Sequence, residues 1–366
     1  MRDYFSSIGY EMPHYINPAE YVLELVNTDF MRDREKASQQ LEQIQSSWSR
    51  SPNATVVVDA IEQETTSEGR DIDIGHHSAN PLTILLALLH RNYIKSYRDV
   101  IAYGIRIVMY VGLAILMGTV WLRLAPHQKN IESFTNSLFY GGAFMSFMAV
   151  AYVPAYIEDR SQFIKERQNG LYGPSAFIVA NFITGLLPLF LIAIIFSVLV
   201  YWLSNFRPDG DAFFLFVMWL FLDLLAAEGL VVLVTNICPI FVVALAAIAF
   251  ANGLWMSVDG FMVQPHTLNP FWRYVFHYID YQAYVFQGMM VNEFGKRTYA
   301  CETLPGGSCQ CMYSSPLESQ CQIAGTAVLD SYGYRTDRTG LWVGILIAII
   351  AGYRILGWAV MYLKRH

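Results

Sequence analysis

The chain has 366 residues, 54% of them hydrophobic and only 15% charged, against about 25% charged residues in soluble domains, which excludes an ordinary soluble globular protein. The net charge is −6 and the acidic excess lies in a polar N-terminal stretch, which excludes a basic nucleic-acid-binding surface. Residues 1–30 hold no apolar run of the signal-peptide kind, so the first span is expected to serve as the targeting signal.

Residues 1–27 are aromatic-rich and punctuated by Gly9, Pro13 and Asn17-Pro18. Asn ahead of Pro predicts a helix starting at Pro18. Residues 28–80 read as a polar cytosolic linker. A solvated helix is expected over 31–47 and disorder over 49–80, where Ser, Thr, Glu and Asp dominate. Asn53-Ala54-Thr55 matches a glycosylation sequon, but the topology below places it in the cytosol. From Pro81 to Arg98 the pattern changes. Leu82, Leu85, Leu86, Leu89, Tyr93 and Tyr97 share one helical face, with His90, Arg91, Lys95 and Arg98 mostly elsewhere. This predicts an amphipathic helix lying in the membrane interface.

Residues 81–366 are expected to form an all-α integral membrane domain. Six apolar runs reach the roughly 20 residues a span requires, near 101–122, 136–157, 176–203, 212–235, 240–262 and 341–363. Between the second and third runs lies a polar segment, Tyr156 to Ser175, with six charges between Glu158 and Arg167. A charge at a helix centre costs on the order of 2.5–3.5 kcal/mol, so this segment is expected to form a loop outside the bilayer. Its cations, with Arg91, Lys95, Arg98, Lys364 and Arg365, outnumber Arg123, Lys129 and Arg207 on the opposite side. The positive-inside rule then puts both termini in the cytosol, in the plasma membrane or an internal one.

Residues 264–340 form a long external loop in this reading. Its first part, Thr267–Phe294, is apolar and aromatic (Phe271, Trp272, Tyr274, Phe276, Tyr278, Tyr281, Tyr284, Phe286) and is expected to dip into the outer leaflet as short helices. Its second part holds Cys301, Cys309, Cys311 and Cys321, and clustering on the external side points to disulfides. Three pairings are open, with Cys309–Cys311 disfavoured by ring strain. A metal site is the rival reading, disfavoured because no His joins the cluster. Arg106 and Arg354 lie toward the cytosolic ends of their spans, where snorkelling explains them as well as a functional role does. Asp223 and Glu228 lie inside the fourth span on different faces, as functional acids or as bundle partners. Phe144, Phe147, Met148 and Ala151 share a face of the second span, and Asn252, Met256 and Asp259 a face of the fifth. Aromatic and Met faces more often serve packing than binding; in a transporter these would wall an apolar cavity. The chain carries no G-x4-G-K-[ST], dinucleotide-binding or H-E-x-x-H pattern and no catalytic constellation.

The order of these features resembles the membrane half of the White (G) subfamily of ATP-binding cassette transporters. Tyr4-Phe5, Gly9-Tyr10, Pro13 and Asn17-Pro18-Ala19-Glu20-Tyr21 are similar to the segment that follows the nucleotide-binding domain, Y-F-x-x-x-G-Y-x-C-P-x-x-x-N-P-A-D-F, with Met12 in place of Cys. Asp159-Arg160, Phe163, Glu166, Gly170 and Tyr172 are similar to that subfamily's E-R-x-x-F-x-x-E-x-x-x-G-x-Y loop, and Asn292-Glu293-Phe294 to the N-E-F ahead of its external cysteines. The resemblance implies that Pro81–Arg98 is the connecting helix. It makes Asp159, Arg160, Phe163, Glu166, Arg167 and Tyr172 a coupling loop to nucleotide-binding domains. Phe147 becomes a substrate-stacking aromatic, Met256 a cavity residue, and Phe261-Met262 the pair closing the cavity outward where some members have leucines. It further implies an exporter of hydrophobic or amphipathic substrates (lipid, sterol, pigment or drug-like) working as a homo- or heterodimer in contact with membrane lipids. ATP and Mg would be held by a nucleotide-binding domain supplied in cis or in trans, not by this chain, which is expected to be a fragment or a half lacking that domain. Two alternatives are a non-transporting half that regulates full-length relatives, and an ion-coupled carrier using Asp223 and Glu228.

Overall fold

A computed structural model of the protein describes residues 2–28, 34–66, 80–98, 100–303 and 309–364. The chain divides into two units, residues 1–77 and 78–366. Parts of the expected linker (29–33 and 67–79) and Arg365 lie outside the described residues.

The first unit holds α1 (Arg2–Ser7), α2 (Pro18–Val26), α3 (Arg34–Ser49) and α4 (Pro52–Thr66). The start of α2 is where the sequence puts it: the Asn17 side chain accepts from the Ala19 N–H at 3.0 Å, and Pro18 takes the first turn. Tyr4 packs edge-on against Trp48, with ring centroids 5.3 Å apart. The stretch read as disordered differs, since 52–66 is helical. Ser51 caps it by accepting from the Ala54 N–H at 3.2 Å, and Pro52 again occupies the first position. Bulk composition, which suggested disorder, is blind to this cap.

The second unit is the membrane domain. It runs α5 (Pro81–Arg98), α6 (Val100–Val120), α7 (Ile131–Met148), α8 (Val153–Gln168), α9 (Pro174–Leu203), α10 (Gly210–Ile237) and α11 (Phe241–Val258). These are followed by α12 (Tyr281–Phe294), α13 (Gly325–Tyr332) and α14 (Thr339–Leu363). Five helical stretches among the described residues are long and apolar enough to cross a membrane: Gln128–Gln168, Pro174–Leu203, Gly210–Ile237, Phe241–Val258 and Thr336–Leu363. Helix α6 adds a shorter apolar one, Gly104–Val120. The protein is a multi-pass membrane protein, and these six helices coincide with the six expected spans.

The charged segment after the second span is not a loop. Helix α7 passes through a tight turn, Ala149–Tyr152, into α8, and the chain reverses only at 169–173. A continuous stretch of 41 residues would extend about 60 Å at 1.5 Å per residue, roughly twice the hydrocarbon thickness. Its charged end therefore projects beyond the bilayer as helix. Arg and Glu are good helix formers, and a charge count alone cannot tell a polar helix from a polar loop.

Helix α10 is the hub of the bundle, packed by α7, α9, α12 and α14. Small residues permit close approach there. A Cβ on Gly229 would stand 3.2 Å from Tyr353, and one on Gly288 of α12 would stand 2.3 Å from the Trp219 ring of α10. Gly288→Ala is accordingly expected to destabilise the fold by about 1–3 kcal/mol through overpacking, measurable as a lowered thermal midpoint in detergent. A midpoint at or above the native one contradicts this packing.

The region after α11 also differs from expectation. Every residue of α12 is buried, so Tyr281, Tyr284, Phe286 and Phe294 pack against protein rather than the lipid leaflet. Phe271, Trp272, Tyr274 and Tyr278 are the aromatics left exposed, around a widened helical turn at Trp272–His277. Aromatic content marks both environments equally. Beyond α12, β1 (Thr298–Ala300) pairs antiparallel with β4 (Gln322–Ala324), and β2 (Glu302–Thr303) with β3 (Cys309–Gln310).

Candidate functional site

The charged segment and the amphipathic helix come together. Arg91 of α5 donates to Glu166 Oε1 of α8 at 2.5 Å, and Lys95 lies 2.7 Å from Asp159 Oδ1 and 3.2 Å from Glu158 Oε1. Arg91 pairs with the later acid and Lys95 with the earlier one, so α5 and α8 run in opposite directions here. The Tyr172 hydroxyl also donates to Glu166, closing the turn between α8 and α9 onto the same carboxylate. Burial disfavours the Lys95 ammonium, but Asp159, and then Glu158, outweigh it and hold its pKa above the usual lysine value. The polar face of α5 thus meets protein, while Leu82, Leu86, Tyr93 and Tyr97 stay exposed, as an interfacial helix requires.

The remaining residues of this segment divide by role. Phe163 is fully buried and stacks on Phe177 of α9 at 4.7 Å, which seats α8 on α9. Arg167 makes no carboxylate pair among the described residues. It donates to the Met361 carbonyl at 2.8 Å, capping the C-terminus of α14. Lys364 does the same for α10, donating to the Ile237 carbonyl at 2.7 Å. Arg160 is buried, its Nε without a partner among the described residues, and lines a small crevice with Arg167 and Lys364. From the sequence, Arg91 and Lys95 read as the polar side of an amphipathic helix and as a topology signal, not as partners of α8. Their one-turn spacing, matched by opposite charges two turns apart on a second helix, is the signal that pointed to the junction.

Inside the bundle, Arg106 and Arg354 do not snorkel. Arg106 of α6 is buried and forms an ion pair with Glu228 of α10, its guanidinium lying 5.0 Å over the Tyr152 ring. Arg354 of α14 is buried and donates to Asn181 Oδ1 at 2.9 Å, while Asn181 donates to the Tyr152 hydroxyl at 2.7 Å. Both arginines are buried and each has a polar partner within the bundle. Glu228 is therefore a bundle partner. Asp223 accepts from the Ser146 hydroxyl at 2.7 Å, and its second oxygen has no partner among the described residues.

The expected cavity and gate residues are partly gathered. Tyr140 bridges Phe144 at 5.8 Å and Phe261 at 6.2 Å, and Phe261 stacks on Phe139 at 4.0 Å. Gly260, at φ +107°, makes the turn that seats Phe261, since a Cβ there would meet the Tyr334 hydroxyl at 2.8 Å. Met262 and Phe147 are exposed. Met148 and Met256 are half-buried. Asn252 is buried in a contact with α12 rather than on an open wall: its Oδ1 accepts from the Tyr281 hydroxyl at 2.9 Å and from Gln282 at 3.3 Å. Asp259 is likewise buried and accepts from the Phe261 N–H at 3.0 Å.

The four clustered cysteines pair as Cys301–Cys311 and Cys309–Cys321, and Cys238 is the free thiol among the described residues. Peptide mapping without reduction is expected to recover these two links. A Cys301–Cys321 or Cys309–Cys311 peptide would contradict the arrangement.

Comparison with known proteins gives a match over residues 83–294 to the family described as ABC-2 type transporter. The chain is 28% identical over 300 residues to ABC transporter G family member 1 of Petunia hybrida, covering 80% of this chain and 47% of that protein. It is 24% identical over 377 residues to ABC transporter G family member 11 of Arabidopsis thaliana, covering 97% of this chain and 52% of that protein. Identity to member 23 of the same plant is 24% over 370 residues, covering 100% and 54%. The chain spans about half the length of the curated relatives it matches.

Proposed function

The chain belongs to the ABC-2 type transporter family and is thereby a membrane transporter component; on that premise we propose that it is the permease of an ATP-driven exporter of hydrophobic or amphipathic molecules. In this reading the end bearing α5 and α8 faces the cytosol, as do both termini. A nucleotide-binding domain, in cis or in trans, holds ATP and Mg and pushes on α8. A second half-transporter completes a dimer, with Phe147, Met148 and Met256 toward the substrate path and Phe261-Met262 closing it outward.

The observation that carries this reading is the double ion pair between α5 and α8. It joins a helix lying along the membrane surface to one that continues into the second span, so a push on either is passed to the bundle. The test uses inside-out vesicles carrying the chain with its nucleotide-binding partner and a fluorescent amphipathic dye. Accumulation driven by MgATP and abolished by a non-hydrolysable analogue is expected. Accumulation driven by a proton gradient without ATP overturns the reading.

One observation favours the second possibility, an ion-coupled carrier: the buried oxygen of Asp223 that has no partner among the described residues. Asp223→Asn separates the two readings. Under the ATP-driven one, the variant keeps the native pH dependence of transport; under the carrier one, that dependence is lost.

A further inference from the structure

At the disulfide-bearing end of the bundle, an open cleft of about 290 Å³ lies between the turn at Trp272–His277, the 332–334 segment and the first turns of α14. Its size is near the lower end of small-ligand pockets. Arg273 and Arg338 line it, and no carboxylate does. Neither arginine has an ion-pair partner among the described residues. The acid adjacent in sequence, Asp337, is exposed and lies outside the lining. The Nε of Arg273 and the hydroxyl of Tyr334, another lining residue, are buried without a hydrogen-bond partner among the described residues. His277 donates from Nδ1 to the Val258 carbonyl at 2.7 Å, and burial, reinforced by the charge of Arg273, lowers its pKa. Its Nδ1–H is thus engaged by that carbonyl, and the guanidinium charge in the cleft comes from Arg273 and Arg338. Below them the lining turns apolar, with Leu341 and Ile345 one turn apart on α14, a helix that crosses the membrane.

Cationic donors at the mouth and an apolar track leading down a spanning helix are complementary to one class of molecule. We propose that this cleft binds an anionic lipid of the adjacent leaflet, with its phosphate on Arg273 and Arg338 and an acyl chain along Leu341 and Ile345. Guanidinium groups suit a phosphate because they donate in a planar fork. The proposal concerns binding alone and does not depend on how transport is driven.

The test is native mass spectrometry of the full chain in detergent, incubated with equal amounts of dioleoyl phosphatidic acid and dioleoyl phosphatidylcholine. Charge-assisted contacts worth a factor of about ten are expected to appear as a roughly tenfold excess of the phosphatidic acid adduct. Arg338→Gln is expected to bring the excess down to about twofold or less. Arg338 is exposed and unpaired, so this variant keeps the fold, which a melting curve checks; Arg273→Gln added to it is expected to remove the preference. Lys129→Gln, a cation outside the cleft, is expected to leave it unchanged. Three results overturn the proposal: no preference in the native chain, a preference that survives Arg338→Gln, or an equal loss in Lys129→Gln. Displacement of the lipid by free glycerol phosphate at equal concentration also overturns it, because the site would then take a soluble phosphate.

Discussion

Arg106→Ala is expected to destabilise the membrane domain by about 3–5 kcal/mol, the cost of removing one partner of a buried ion pair. Both side chains are shielded, with 5% and 2% exposure for Arg106 and Glu228. Removing the guanidinium leaves the buried Glu228 carboxylate uncompensated between α6 and α10. The loss also takes the cation from over the Tyr152 ring. The paired replacement Arg106→Met with Glu228→Leu is expected to recover most of the loss, because apolar groups of similar volume need no solvation. Thermal melting in detergent micelles reads both effects. A single variant that melts with the native protein would show that the pair does not organise the bundle.

Glu166→Ala is expected to behave in the opposite way, with little effect on stability and a large effect on activity. Arg91 and Glu166 are 43% and 25% exposed, and surface pairs of this kind contribute about 0–1 kcal/mol. Melting should therefore move little. Yet Glu166 accepts from both Arg91 and Tyr172, so it ties α5 to α8 and to the turn entering α9. If motion passes through that joint, substrate-stimulated ATP hydrolysis should fall about tenfold or more, within the usual range of coupling energies of 1–3 kcal/mol. A drop in melting with no loss of stimulation would make the residue merely structural.

Much of this architecture was legible in the residues. Spans are set by length and apolarity, and a lipid environment leaves helix as the economical way to satisfy the backbone, so the positions of α6, α7, α9, α10, α11 and α14 followed from hydropathy. The start of α2 was written in Asn17-Pro18. What escaped depends on partners distant in the chain. Nothing near Arg106 shows that Glu228, 122 residues away, neutralises it; nor does Asn181 stand near Arg354. The aromatic stretch after α11 was assigned to lipid because its composition fits an interface, and only packing shows that α12 is buried. At the junction, the motif marks Asp159 and Glu166, while the matching cations on α5 read only as the polar side of an amphipathic helix and as a topology signal. Asn252 shows the limit of a helical face as a guide: it shares a face with Met256, yet its amide is taken up by Tyr281 and Gln282.

Under the proposed function, the pairs between α5 and α8 transmit ATP-driven motion to the membrane helices. Reversing one pair, Arg91→Glu with Glu166→Arg, tests it most directly as a double-mutant cycle on dye efflux and ATP hydrolysis in vesicles holding the nucleotide-binding partner. The account expects each single reversal to uncouple hydrolysis from efflux and the double reversal to restore both to within a few-fold of the native rates. Efflux that is unchanged in the single reversals, or that is no better in the double than in either single, would contradict it.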